Sequence, residues 1–425
     1  MWDKLLKAWN VKEVRNGLLF VLAMMVIFRV TANIPLPGID LVALKQLFDT
    51  NQALGLLNLF SGGTIRNFGI VALGVAPYIT ASIIFQLMGM ISPTIEEIQK
   101  DGESGRRKIN QWTRMLTVPL AFIQGFGLLQ ILKQSSVPVL TTNNTLHIVM
   151  ILCAMTAGSM FLTWIGELIT EKKVGNGISL LIFAGIVADL PNLTSQFFIA
   201  YDSSQLFTVL VYAAIGLLTV AGVVFVSEGQ RNVPVQYARQ SSGMSGSVGG
   251  VASSLPLRVN LTGVIPIIFA ISLLLFPSMI AQFFIQARSA WLAQTANWIL
   301  ITLQNQLIYG LLYFGLVVLF TYFYTTIVFQ PEQVAENLQK QGGFIPGIRP
   351  GRPTAEYLQV VINRITLGGA LFLGSIAVLP IAAQAFTGTT MLAIGGTSLL
   401  IVVSVVIESI KQIQSQLTMR EYDVY

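Results

Sequence analysis

Ten stretches of this chain approach the roughly twenty apolar residues that a helix needs to cross the hydrocarbon of a bilayer. They run over 14–32, 68–90, 114–133, 146–166, 177–197, 206–226, 263–284, 303–328, 365–386 and 391–408. Inside lipid every backbone N–H and C=O must find its partner within the protein, so such stretches become helices. The sequence therefore predicts an all-α polytopic membrane protein. Composition agrees, with 54% of residues hydrophobic and only 10% charged, against about a quarter charged in soluble proteins. The fifth stretch is interrupted by Asp189 and Pro191, and a half-apolar segment, LGLLNLFSGGTIRNFG, precedes the second. That segment is too polar to span and reads as re-entrant, which is tolerated only where protein or a cavity surrounds it.

The loop charges give the sidedness. With the N-terminus inside, Lys4, Lys7, Lys12 and Arg15 face the cytoplasm, followed by Lys100, Arg106, Arg107, Lys108 and Arg114. Lys172, Lys173, Arg231, Arg239, Arg258, Lys340, Arg349, Arg352, Arg364, Lys411 and Arg420 complete the inner set of 20. Only Lys45, Arg66, Lys133 and Arg288 lie outside, and Arg29 sits within the first stretch. The positive-inside rule therefore favours an even number of spans with both termini cytoplasmic. The start of the chain, MWDKLLKAWNVKEVRNGLLF, runs into the first stretch without a small-residue cleavage site. It reads as a retained helix behind a short amphipathic segment. Two long basic loops, 227–262 and 329–364, both fall on the inner side and suit the docking of something large and cytosolic.

Few residues are equipped for chemistry. One cysteine, Cys153, and one histidine, His147, exclude an intramolecular disulfide and an ordinary Cys/His zinc site. Arg29 lies near the outer end of its span and reads as snorkelling to the interface. Glu167, Glu408 and Asp189 lie towards span ends, where inter-helix contacts are a simpler role than proton transfer. GNG at 175–177 and SGG at 61–63 read as turn punctuation, since no phosphate-loop motif follows. Neither cofactor nor metal is expected, nor catalysis. The spans themselves are rich in isoleucine and valine with interspersed serine and threonine, which suits plain helix packing or a hydrophobic constriction.

Long ordered motifs add a resemblance. They are IPLPGID at 34–40, LNLFSGG at 57–63, ALGVAPYITASIIFQL at 72–87, GESGRRKINQWTR at 102–114 and GNGISLLIFAGIVADLP at 175–191. VPVQYARQ at 233–240, LPLRVNLTGVIPIIFA at 255–270, FIPGIRPG at 344–351 and GGTSLLIVVSVVIES at 395–409 continue the series. Through them the chain resembles, over essentially its whole length, the SecY/Sec61-alpha family of protein-conducting channels. The resemblance implies ten transmembrane helices in two pseudo-symmetric inverted halves of five, here 1–200 and 201–425.

The same resemblance implies site roles. A pore ring would comprise Val75, Ile79, Ile178, Ile182, Ile268 and Ile401, with valine at 75 where bacterial relatives commonly carry isoleucine. A plug helix near 57–67 would include Leu57, Asn58, Leu59, Phe60, Ser61, Gly62, Gly63 and Thr64. Thr80, Ser82 and Gln86 would face Ser272 and Phe276 across a lateral gate, on the helix that also carries Ile268. Arg349, with Arg352, Arg231, Arg239, Arg106, Arg107 and Lys108, would form the cytosolic docking surface. Implied partners are the small membrane subunits SecE and SecG, the SecA ATPase, the ribosome, signal peptides and nascent chains, membrane lipids, and YidC and SecDF. The implied location is the bacterial inner, or plasma, membrane.

Two other classes compete with the channel reading. A secondary transporter would need charged or carbonyl-rich coordination near the midplane, and the spans are short of such groups. An intramembrane enzyme would need a positioned nucleophile, paired aspartates or a metal ligand set.

Overall fold

The computed structural model describes residues 11–423 apart from 41, 45–63, 66, 134–143, 200–205, 238–250, 286–288 and 388–394. The described helices are α1 (Lys12–Ala32), α2 (Ala76–Ile91), α3 (Pro93–Lys100), α4 (Gly102–Lys133), α5 (Thr145–Glu171), α6 (Gly177–Ile199) and α7 (Leu206–Glu228). Strands β1 (Gln230–Tyr237) and β2 (Val251–Arg258) follow, then α8 (Ile265–Phe284), α9 (Ala290–Gln304), α10 (Gln306–Val328) and α11 (Pro331–Lys340). A two-residue strand, β3 (Gly343–Phe344), precedes α12 (Arg352–Thr387) and α13 (Gly395–Asp423).

Among the described residues, six helices are long and apolar enough to cross a membrane, or seven if α2 and α3, bent by 110° at Ser92, form one broken span. Shorter apolar helical runs cover 177–191, 216–228 and 265–278. The protein is thus a multi-pass helical membrane protein. Several helices outrun their apolar stretches. The GESGRRKINQWTR segment, which hydropathy assigns to a loop, is the first part of α4, braced by an i,i+4 ion pair between Glu103 and Arg107 at 2.8 Å. Hydropathy measures the path through hydrocarbon, whereas Glu, Arg and Lys are good helix formers and carry the helix on into water. The break expected at Asp189 and Pro191 does not end α6, which continues to Ile199 with Pro191 inside it.

The second stretch departs from expectation at its start. Helix α2 begins at Ala76, and the described residues among 64–75 form tight turns that fasten to the segment after α1 and to α5. Leu36 N–H donates to the Phe68 carbonyl at 3.0 Å, Ile70 N–H to the Ile34 carbonyl at 3.0 Å, and Ser159 Oγ to the Gly74 carbonyl at 2.8 Å. Gly69 is required here, because a Cβ would sit 2.4 Å from the Ala32 carbonyl oxygen.

The two long basic loops are not irregular, and the all-α expectation misses them. Strands β1 and β2 pair antiparallel from Gln230↔Arg258 to Tyr237↔Val251, and β3 adds to the free edge of β1 through Gln236↔Phe344 and Tyr237↔Gly343. Alternation explains it: Val233 and Val235 point to one side and are buried, while Asn232, Pro234 and Gln236 point to the other and are exposed. The buried side joins Leu257, Leu338, Ile345, Leu358, Val361 and Ile362 in a small separate core. Both loops therefore belong to one unit. The main core is an apolar cluster drawing on α1, α2, α5, α6, α7, α8, α10, α12 and α13.

Candidate functional site

The six aliphatic residues singled out from sequence, here called the girdle, all lie in or against the main apolar cluster. Val75, Ile79, Ile182, Ile268 and Ile401 are 1–5% exposed and lie in the main apolar cluster, with Ile178 packed against it. Each is fixed by local structure. Val75 precedes α2, where Pro77 takes a first-turn position that has no use for an N–H. Ile178 and Ile182 are one turn apart on α6 and share a face. The start of α6 is capped by Asn176, whose Oδ1 accepts from Ile178 N–H at 3.1 Å and Ser179 N–H at 3.3 Å. Gly177 donates its N–H to Thr170 Oγ1 at 2.9 Å and lies so close to α5 that a Cβ would be 1.8 Å from the Gly166 carbonyl oxygen. The GNG motif is therefore a cap and a close helix crossing that aims Ile178 and Ile182.

A cavity of about 630 Å³ lies against this girdle. Ile79, Ile178 and Ile268 form part of its wall, with Ile265 and Phe269. Polar groups line the remainder, among them Gln86, Arg107, Asn110, Glu167 and Asn176. These residues belong to the ends of α4, α5 and α6 that adjoin basic loops and to the adjoining part of α2. The arrangement is a polar, charged funnel-like cavity whose wall on one side is aliphatic side chains without hydrogen-bonding demands. A constriction of such side chains can yield to a passing chain of any sequence and exclude water when empty. Sequence reading treated Arg114 only as a loop charge and Glu167 as an inter-helix contact. They face each other across α4 and α5 at 3.3 Å. Asn110, Gln111 and Asn176 carried no sequence signal of their own, being uncharged polar residues next to span ends.

Thr80, Ser82 and Gln86 lie on α2, and Ser272 and Phe276 on α8, two helices that pack together. The hydrogen bonds of the α2 trio stay on its own side. Thr80 donates to the Ala76 carbonyl at 3.0 Å and accepts from Gln124 of α4 at 3.2 Å, while Gln86 donates to Ser82 at 3.1 Å. Gln86 Oε1 is buried without a partner. Of the plug residues, Leu57, Asn58, Leu59, Phe60, Ser61, Gly62 and Gly63 lie outside the described residues. Thr64 is fully buried, donating to the carbonyls of Val71 at 2.9 Å and Ala72 at 3.3 Å.

Among the docking residues, Arg349 is exposed in a turn between Gly347 (φ 82°) and Gly351 (φ 96°), with Ile345 anchored below it in the small core. Its carbonyl accepts from Thr354 Oγ1 at 2.9 Å. Arg352 makes an exposed pair with Glu356 at 3.3 Å. Arg231, Arg106, Arg107 and Lys108 are exposed, and Arg239 lies outside the described residues. Arg29 does not snorkel. Its guanidinium donates to the carbonyls of Ala184 at 3.1 Å and Gly185 at 2.6 Å, pinning α1 to α6.

A bundle of spanning helices closed by an aliphatic girdle under a polar funnel defines a membrane-channel class of fold, and comparison with known proteins makes this specific. Residues 69–410 match the family model described as SecY. The chain is 44% identical to a protein translocase subunit SecY from Streptomyces galbus, covering 98% of each. It is 43% identical to the same subunit from Corynebacterium glutamicum, covering 99% of this chain and 98% of that one. It belongs to the SecY family. In structure it is similar to a protein-conducting channel, with TM-score 0.64 and 17% identity over 93% of this chain and 90% of that one. A Sec61 from a canine ribosome–channel complex aligns with TM-score 0.59 and 16% identity, over 93% and 90%.

Proposed function

We propose that this chain is the channel-forming subunit of a protein translocase, moving unfolded, signal-bearing polypeptides across a membrane and releasing apolar segments sideways into lipid. The observation that carries the proposal is the girdle of Val75, Ile79, Ile178, Ile182, Ile268 and Ile401 beneath the polar funnel. In this reading the two inverted five-helix halves are 1–200 and 201–425. The six long spans, the bent pair and the three shorter apolar runs support a total of ten.

A signal sequence would enter between α2 and α8, past Thr80, Ser82, Gln86, Ser272 and Phe276. The polar remainder would thread the girdle after residues 57–64 move aside from its outer mouth. The fixed turns of 64–75 give that segment a rigid root. Energy would come from outside the chain, from SecA or from translation on the ribosome, docked on the unit built from β1, β2, β3 and α11 and led by Arg349. Basic residues facing ribosomal RNA would meet phosphates, without base readout. SecE and SecG would complete the complex, with YidC and SecDF as further partners. Both termini would be cytoplasmic, in the bacterial inner membrane.

The test is a stalled secretory precursor in vesicles with SecA and ATP, probed with Ile182→Cys or Ile401→Cys in a Cys153→Ser background. Crosslinks appearing only with a signal-bearing precursor are expected. Their absence while transport proceeds would mean that the polypeptide passes elsewhere.

A further inference from the structure

Helix α9 carries none of the girdle, gate or docking residues named above. No charged residue occurs between Arg288 and Glu332. Within that stretch α10 alone, at 23 residues, is long enough to cross the hydrocarbon. The 15 residues of α9 are surplus to the crossing, and they include the exposed amides Gln294 and Asn297, which hydrocarbon would not accept unpaired. Only Asn305 separates α9 from α10, so α9 is held at that end of the span. By the orientation proposed above, that end is the outer one.

The exposed residues of α9 fall on one face. Trp291, Gln294, Asn297, Trp298 and Ile301 are spaced three and four apart, with Trp291 at 71%, Trp298 at 67% and Ile301 at 68% exposure. The other face holds Ala296, which is buried, and α9 packs on both α8 and α10. The exposed apolar surface continues into α10 through Leu307 and Leu311, the side that meets lipid. Water does not favour two exposed tryptophans on one face, and the bilayer core does not favour Gln and Asn between them. The headgroup–acyl boundary accommodates both, since an indole has an apolar body and an N–H that reaches ester and phosphate oxygens.

We propose that the Trp291–Ile301 face of α9 is seated in the lipid headgroup boundary of the outer leaflet and, through its packing on α8, sets the depth of that gate-side helix. This rests on the orientation given above, and precursor transport measured in parallel tests the channel reading separately. The experiment places an environment-sensitive fluorophore at Gln294→Cys in a Cys153→Ser background, in phosphatidylcholine–phosphatidylglycerol vesicles. Quenching is read with lipids spin-labelled near the headgroup, with lipids labelled at mid-chain, and with aqueous iodide. Strongest quenching by the headgroup-proximal label is expected. Strongest quenching by iodide, strongest quenching by the mid-chain label, or protection from all three would overturn the proposal, the last by revealing a protein partner on this face. Adding Trp291→Ala and Trp298→Ala should shift the label towards water and raise iodide quenching about twofold. Unchanged quenching in that variant would remove the tryptophans from the mechanism.

Discussion

Two seams between residues 1–200 and 201–425, α8 against α2 and its neighbour α4, and α6 against α13, are built differently. Both contribute aliphatic residues to the same core, Ile79, Ile83, Ile268 and Ile271 at one, Leu181, Ile182, Leu400 and Ile401 at the other. At the α6–α13 seam a polar tie is added. Gln416 of α13 donates to the Lys173 carbonyl at the α5–α6 turn at 2.7 Å, and Gly175 lies close enough to α13 that a Cβ would be 2.9 Å from Ser409 Oγ. At the α2–α8 seam the polar residues bond within α2 or to α4, and the cavity reaches between the two helices. Parting α2 from α8 costs apolar contact, which an incoming apolar segment restores, and breaks none of those bonds. Parting α6 from α13 also breaks an exposed polar tie between α13 and the α5–α6 turn. In the proposed cycle the first seam is the one that opens and the second stays shut.

The most severe way to break this comparison is at the α5–α6 elbow that supports the second seam. Gly177→Val leaves no room between the helices, and a loss of about 3 kcal/mol or more is expected, read as a large drop in unfolding temperature in detergent. Next comes Ile401→Asn, which puts a hydrogen-bonding group into the girdle and holds water there. Potassium efflux from reconstituted vesicles should rise about tenfold without gross unfolding. An unchanged leak would show that the girdle is not the barrier. Ile271→Ala, on the α8 side of the first seam, removes about 2–4 kcal/mol of packing. Because the closed state is the one that uses it, transport of precursors with weakened signal sequences should increase. If it instead falls with overall stability, the seam is structural and not a gate. Gln416→Leu is the mildest, costing about 1 kcal/mol, with a small shift in unfolding temperature and no change in leak or signal requirement.

Much of this was legible in the sequence, for identifiable reasons. Hydropathy marked the six long spans and the bent pair because the bilayer imposes one length on spanning helices. Helix continuation beyond the membrane was not legible, as at residues 102–113, because charged helix formers look like loop to a hydropathy count. The hairpin at 230–258 was obscured by its serines, glycines and prolines, and its burial depends on Ile345 and Leu358, a hundred residues away. Arg29 was misjudged because nothing local to α1 reveals that the carbonyls of Ala184 and Gly185 stand opposite it. Long-range polar partners of that kind are set by packing, and one sequence does not display packing.

The shared core beneath β1, β2, β3, α11 and the start of α12 has an evolutionary corollary. Val233, Val235 and Leu257 from one loop interlock with Leu338, Ile345 and Leu358 from the other, so neither segment is free to drift alone. A chimera that imports residues 227–262 from a distant relative should fold poorly until 331–362 of the same relative is imported with it. On that expectation the two loops are inherited as a single module, although residues 263–328, with three helices, intervene between them.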